Sequence, residues 1–200
     1  GQAGYYRVQY SQPMIGLIVK SFNEVAPVDQ LGLLDDAFAL GLAGNRPMSD
    51  VLELTDAVRN NADPKVTQSA IGVIRSLHFY AKGKARLEAR LRRFAIARFM
   101  PVLGRLGWAP RKGEPEVDAE LRATTIEVLG EIGLPEVVAE ARRRFLAQES
   151  DPDAIHPSLR VAIMEVVAQS ADAEMWDKIH LMAKVESSAQ LKNLLYIQLA

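Results

Sequence analysis

Leu33-Leu34-Asp35-Asp36-Ala37-Phe38-Ala39-Leu40 decides the fold, together with the opening stretch Gly4-Tyr5-Tyr6-Arg7-Val8-Gln9-Tyr10. The first reads as the middle of an amphipathic helix, with Leu31, Leu34, Phe38 and Leu42 on one stripe. The second alternates, with Tyr6, Val8 and Tyr10 on one face and Tyr5, Arg7 and Gln9 on the other. That is the pattern of a β-strand. One strand is not stable alone, so it requires a sheet that the rest of the chain does not supply.

From Ser11 onward the text is helical. Ser11 and Pro13 open a helix to about Phe22, and Pro27 opens another that stops at Gly44-Asn45. Ser49 is the expected cap of a helix through Val51, Leu54 and Val58, ended by Asn60-Asn61. Asp63-Pro64 starts one with Val66, Ala70, Val73, Ile74 and Leu77 inward, ending near Gly83. Residues 84–106 form a long helical stretch, broken or bent at Pro101. Gly107, Pro110, Gly113 and Pro115 make residues 107–115 a loop. Helices resume at about Val117–Ile132, Pro135–Gln148, Pro157–Gln169, Ala173–Lys184 and from Ala189 onward.

The expected fold class is therefore all-α. Helices of this length with short connections suit an α-solenoid of antiparallel pairs in the HEAT or armadillo manner, with an irregular bundle as the alternative. Residues 1–10 read as the end of a preceding β-domain, and 11–200 as a helical domain. The apolar run Leu194-Leu195-Tyr196-Ile197 without a cap suggests that this domain is cut at its C-terminus.

Bulk properties narrow the function. A net charge of −1 provides no field to attract nucleic acid. With no cysteine there are no disulfides or thiolate metal sites. No apolar run approaches the roughly 20 residues that a membrane span needs. No signal peptide is visible, and a cytoplasmic parent protein is the favoured setting.

The histidines His78, His156 and His180 have no second ligand at helical spacing, and no HExxH, GxSxG or phosphate loop appears. Asp35 and Asp36 are adjacent on a helix and point about 100° apart, so they cannot share a proton as a catalytic dyad. One of them is expected to cap a helix or to pair with an arginine on a neighbouring one. Two basic clusters stand out. Lys82, Lys84, Arg86, Arg90, Arg92, Arg93 and Arg98 are interrupted only by Glu88, and Arg142-Arg143-Arg144 follows later. Arg86, Arg90 and Arg93 share one helical face at i, i+4 and i+7. Such a face is either a solvated surface balanced by neighbouring carboxylates or a positive wall towards a cavity or an acidic partner.

Several of these stretches, in order, resemble the helical C-terminal domain of the M1 family of zinc aminopeptidases, of the aminopeptidase N type. Gly4-Tyr5-Tyr6-Arg7-Val8 looks like the family's strand, with Gln9 where Asn is usual. Leu34-Asp35-Asp36-Ala37-Phe38-Ala39-Leu40 with Ala43-Gly44 resembles its I-D-D-A-F-x-L-A-x-A-G helix. Leu106-Gly107-Trp108, Gly133-Leu134-Pro135 with Glu136 and Ala139 to Phe145, Ile155-His156-Pro157-Ser158-Leu159-Arg160 and Trp176 also match. Asn45-Arg46-Pro47 departs from it, standing where the family has a shorter turn.

The resemblance implies a HEAT-like solenoid that cups a catalytic domain of the same polypeptide, encloses the substrate cavity and limits peptide access. It implies zinc in the parent's catalytic domain and none in this chain. No catalytic or metal residue is carried over, because the zinc ligands and the general-base Glu belong to the preceding domain. Arg86, Arg90 and Arg93 are the candidate cavity-wall residues. The alternative is a free-standing HEAT-like scaffold that binds another protein, although a scaffold has no use for the opening strand. A self-contained enzyme is disfavoured, since no nucleophile–base or metal constellation is present.

Overall fold

The structure is a computed structural model, and it describes residues 7–148 and 150–199. Ten α-helices occupy the described residues: α1 Gln12–Ser21, α2 Pro27–Leu42, α3 Met48–Ala57, α4 Pro64–Ala81, α5 Ala85–Leu106, α6 Glu116–Glu131, α7 Pro135–Ala147, α8 Arg160–Gln169, α9 Ala173–Val185 and α10 Ala189–Leu199. Short 3₁₀ turns at Phe22–Glu24 and Pro157–Leu159 complete them. The chain divides into two compact units, Gly1–Arg105 and Leu106–Ala200.

The helix ends follow local chemistry. Two are Schellman motifs, in which a glycine at positive φ lets the chain reverse and satisfies the last carbonyls. At the end of α2, Gly44 has φ 73°. The amide of Asn45 donates to Leu40 O, and that of Gly44 to Gly41 O. At the end of α6, Gly133 has φ 69°. There Leu134 N donates to Leu129 O and Gly133 N to Gly130 O. Asp63 caps α4 by accepting from Lys65 N at 2.8 Å, and Asp172 caps α9 by accepting from Met175 N at 2.9 Å.

Ser49 does not cap α3. The helix begins at Met48 behind Pro47, whose fixed φ already presets the first turn. Pro101 does not break α5, which runs continuously through it. The proline leaves the Ala97 carbonyl without its helical donor. Both residues are exposed, so water can serve that carbonyl.

In the first unit, α2 packs on α3 and α4, and α1 packs on α3. The buried residues of α2 are Gln30, Gly32, Leu34 and Ala37, not the full stripe of Leu31, Leu34, Phe38 and Leu42. Leu42 is exposed. Small residues on α2 let helices approach: a Cβ on Gly41 would sit 3.0 Å from Val51 Cγ2 and 3.1 Å from Met48 Cε. Gln30 is buried because its side-chain amide donates to Val25 O at 3.0 Å.

The strand expected over residues 4–10 falls partly outside the described residues. The described part, Arg7–Tyr10, has no regular secondary structure. Among the described residues no strand neighbours it, and its polar groups go to helix side chains and turns. Val8 N donates to Asp36 Oδ2 at 3.1 Å, and Arg7 pairs with Asp36 Oδ1 at 3.1 Å. Gln9 donates to Asn45 O, and Arg46 donates to Tyr10 O at 3.0 Å. Asp36 thus takes its arginine from the segment leading into α1, not from a neighbouring helix. Arg46 is itself buried and paired with Asp50 at 3.4 Å, so the Asn45-Arg46-Pro47 turn anchors the incoming chain.

In the second unit, α8 packs on α6 and α7, and α10 packs on α9 and α8. Its core includes Leu121, Ile126, Leu129, Ile155, Leu159, Ile163 and Ile179, each at most 2% exposed. Gly130 lies directly under Val166, where helix backbone meets side chain with no room for a Cβ. The terminal run divides: Leu195 is buried, while Tyr196 and Ile197 are exposed.

Candidate functional site

The arginine face is built on α5. Its inward stripe is Leu91, Ala95, Phe99, Val102 and Leu103, all buried. That leaves Arg86, Ala89, Arg90, Arg93 and Ala97 on the exposed side. Glu88 is the sole carboxylate within the basic stretch, and one of its oxygens accepts from Gly83 N at 2.9 Å. It therefore holds the turn into α5.

The other cations of the stretch are engaged locally. Lys82 Nζ lies 5.8 Å from the centre of the Phe79 ring, and Lys84 Nζ donates to Tyr80 O at 3.4 Å. Arg98 pairs with Asp56 at 3.6 Å and donates to Val58 O, closing the end of α3. Arg92 is also engaged within the protein. Among the described residues, no carboxylate pairs with Arg86, Arg90 or Arg93.

Each arginine of the second basic cluster is paired with a carboxylate. Arg143 and Arg144 both donate to Glu140, each at 2.7 Å at the closest approach. Arg144 also lies over the Trp108 ring at 5.4 Å. Arg142 pairs with Asp172 at 3.0 Å and donates to Ser170 O. The amide of Met175, followed by Arg142, holds the Asp172 carboxyl below its ordinary range.

Hydrogen bonds from Arg143 and then Arg144 lower the Glu140 pKa to about 2. Its unfolded value is about 4.3. A carboxyl with a depressed folded pKa contributes stability above the unfolded value and loses it as the pH falls through the folded one. Glu140→Gln should therefore lower the urea midpoint at pH 6 and flatten its decline between pH ~4.3 and ~2. Parallel declines for the two proteins would show that Glu140 carries no such linkage.

Two of the histidines have structural contacts. His156 Nδ1 accepts from Ser158 N at 3.3 Å and caps the 3₁₀ turn. His180 stacks between Trp176 at 4.8 Å and Tyr196 at 6.1 Å. His78 buries an Nδ1 that has no partner. Among the described residues, no three His, Asp or Glu side chains gather where a metal could bind. No described helix is long and apolar enough to cross a membrane.

Two features of the structure lie outside the sequence motifs. One is Arg122, fully buried on α6 and bound to Glu114 at 2.6 Å. Its signal is its position three, four and seven residues before Thr125, Ile126 and Leu129, which places a cation in an apolar stripe. The other is the pair Phe79 and Tyr80 at the end of α4, which is exposed. The inward stripe of Val66, Ala70, Val73, Ile74, Leu77 and Ala81 forces both outward.

The motif residues sit at joints. Gly107 and Gly133 take positive φ just past α5 and α6. Ile155 and Leu159, both buried, bracket the 3₁₀ turn ahead of α8.

Comparison with known proteins covers the same ground. A family model described as an ERAP1-like C-terminal domain matches residues 1–200. Aminopeptidase M1 of Arabidopsis thaliana is 31% identical over 86% of this chain and 20% of its own length. Glutamyl aminopeptidase of Bitis rhinoceros is 26% identical over 98% of this chain and 21% of its own. Aminopeptidase N of Lactobacillus delbrueckii subsp. lactis is 25% identical over 61% of this chain and 14% of its own. The chain thus spans about a fifth or less of the length of these relatives.

Proposed function

This chain belongs to the ERAP1-like C-terminal domain family of the M1 aminopeptidases, and on that premise we propose that it walls the substrate cavity of a peptide-cleaving parent enzyme. In this reading the parent removes N-terminal residues from peptides, using a zinc-activated water in a catalytic domain of the same polypeptide. The helical domain is inert. It narrows access so that peptides, not folded proteins, reach the zinc. Next-but-one helix contacts (α2 with α4, α6 with α8, α8 with α10) support stacked helix pairs of the solenoid kind.

The observation that carries the reading is the exposed face of Arg86, Arg90 and Arg93, without a carboxylate partner among the described residues. The second arginine cluster is consumed by Glu140 and Asp172, which is what a purely structural cluster looks like. A face left unneutralised is available to a ligand.

The test is R86A/R90A/R93A in the parent enzyme, assayed on neutral peptides of two to twelve residues. The expected result is a KM raised several-fold for the longer peptides, with dipeptide turnover unchanged. Unchanged length preference and KM would remove these arginines from the wall.

A further inference from the structure

We propose that the turn between α4 and α5 and the first turns of α5 form a binding patch for acidic peptide segments carrying one apolar anchor. The inference deepens the wall reading and rests on it in one respect, that Arg86, Arg90 and Arg93 meet peptide substrate.

Three observations carry it. Between positions 82 and 93 there are six cations and one carboxylate, in a chain whose net charge is −1. That carboxylate, Glu88, is turned to the Gly83 amide. Arg86 and Arg90 are like charges at i and i+4, an arrangement that costs stability in a helix unless something neutralises it.

Beside this charge lies an apolar platform. Phe79 is 64% exposed and Tyr80 56%, with ring centres 5.6 Å apart in an edge-to-face arrangement. Leu87, in the first turn of α5, is 41% exposed. Lys82 lies by the Phe79 ring. Exposed aromatic rings are the residue type enriched at the cores of binding surfaces.

The spacing selects the ligand. Along α5, Arg86 to Arg90 is a rise of about 6.0 Å and Arg90 to Arg93 about 4.5 Å. An extended peptide places alternate side chains on one face about 6.6 Å apart. Carboxylates at alternate positions therefore match the arginine row. An apolar residue two positions before the first of them is the anchor proposed for the Phe79–Tyr80 pair.

The experiment uses the 200-residue chain and fluorescein-labelled Phe-Ser-Glu-Ser-Glu-Ser-Glu, followed by fluorescence anisotropy. Two further peptides replace every Glu by Gln, or Phe by Ser. Saturable binding of the acidic peptide is expected. R86A/R90A/R93A should weaken it about tenfold, the sum of three exposed ion pairs. Raising the salt from ~0.05 to ~0.5 M should do likewise, through screening. F79S/Y80S should weaken it to the level of the peptide lacking Phe. All these positions are exposed, and circular dichroism confirms that each variant is folded.

Equal binding of the Gln peptide, unchanged affinity in the triple variant, or no binding at all would overturn the proposal. The wall reading fails separately, by the neutral-peptide kinetics of the parent described above.

Discussion

Arg122→Met will destabilise the second unit by roughly 3–5 kcal/mol, the range for removing one partner of a buried ion pair. Arg122 is 0% exposed, and its side chain is the hub of the 107–115 loop. Its Nε donates to Gly107 O at 3.1 Å, and its Nη2 donates to Leu106 O at 3.1 Å and to Glu114 Oε2 at 2.6 Å. The Glu114 carboxyl also accepts from Arg111 N at 3.2 Å. Methionine fills much of the volume but provides no donor. It leaves a carboxylate and two carbonyls without their donor.

Glu114 supplies a second readout. The hydrogen bond from Arg122 is the largest cause of its lowered pKa. Stability from this group is present above the ordinary glutamate value and is lost as the pH falls through the folded one. The R122M protein should lack that part of the acid dependence. Glu114→Leu added to R122M should recover part of the loss, because a buried pair replaced by apolar groups no longer strands a charge. Both tryptophans, Trp108 and Trp176, lie in this unit, so their fluorescence in a urea titration reports its unfolding. A loss below about 1 kcal/mol would mean that water already serves the site.

Gly130→Ala should cost about 1–3 kcal/mol, although glycine to alanine inside an exposed helix ordinarily stabilises by about 1 kcal/mol. The sign reverses because α6 meets α8 here. A Cβ on Gly130 would lie 2.7 Å from Val166 Cγ1 and 3.0 Å from its Cβ, and closer still to its Cγ2. Val166 is 1% exposed and β-branched, so it cannot swing aside: one χ1 rotamer dominates in a helix. The backbones must separate or the core must strain.

The check is a double-mutant cycle. V166A creates a cavity and G130A a clash, but together the alanines fill each other's space. The double variant should therefore be more stable than the sum of the singles by about 1 kcal/mol or more. Additive losses would show that the helices relax apart freely. Gly41→Ala should be milder, since the Cβ there meets Val51 and the flexible end of Met48 at 3.0 Å or more.

Much of the fold is legible in the text. Gly44 and Gly133 end helices, Asp63 and Asp172 begin them, and the loop at 107–115 appears where glycine and proline cluster. The misses are those of packing. The α2 stripe of Leu31, Leu34, Phe38 and Leu42 gives way to Gln30, Gly32, Leu34 and Ala37, because α3 and α4 press on a small-residue face that hydrophobicity undervalues. Ser49 looks like a cap, but the proline two residues earlier starts the helix sooner.

The candidate site is half legible. Helical spacing alone puts Arg86, Arg90 and Arg93 on one face, and puts Phe79 and Tyr80 outside the α4 stripe. It does not show that Arg142-Arg143-Arg144 is already paired within the protein while this row is not.

The sequence by itself determined where helices begin and end, because each boundary depends on hydrogen bonds within about five residues and on the φ that glycine or proline permits. Only the tertiary structure decided which charges are already used. Arg142 finds Asp172 thirty positions away, Arg98 reaches Asp56 at the end of α3, and Arg122 is drawn into a core to hold a loop. Coulomb attraction depends on distance in space and on burial, and neither is written in local spacing. That is why Arg142, Arg143 and Arg144 are spent on the fold, while Arg86, Arg90 and Arg93 have no carboxylate partner among the described residues.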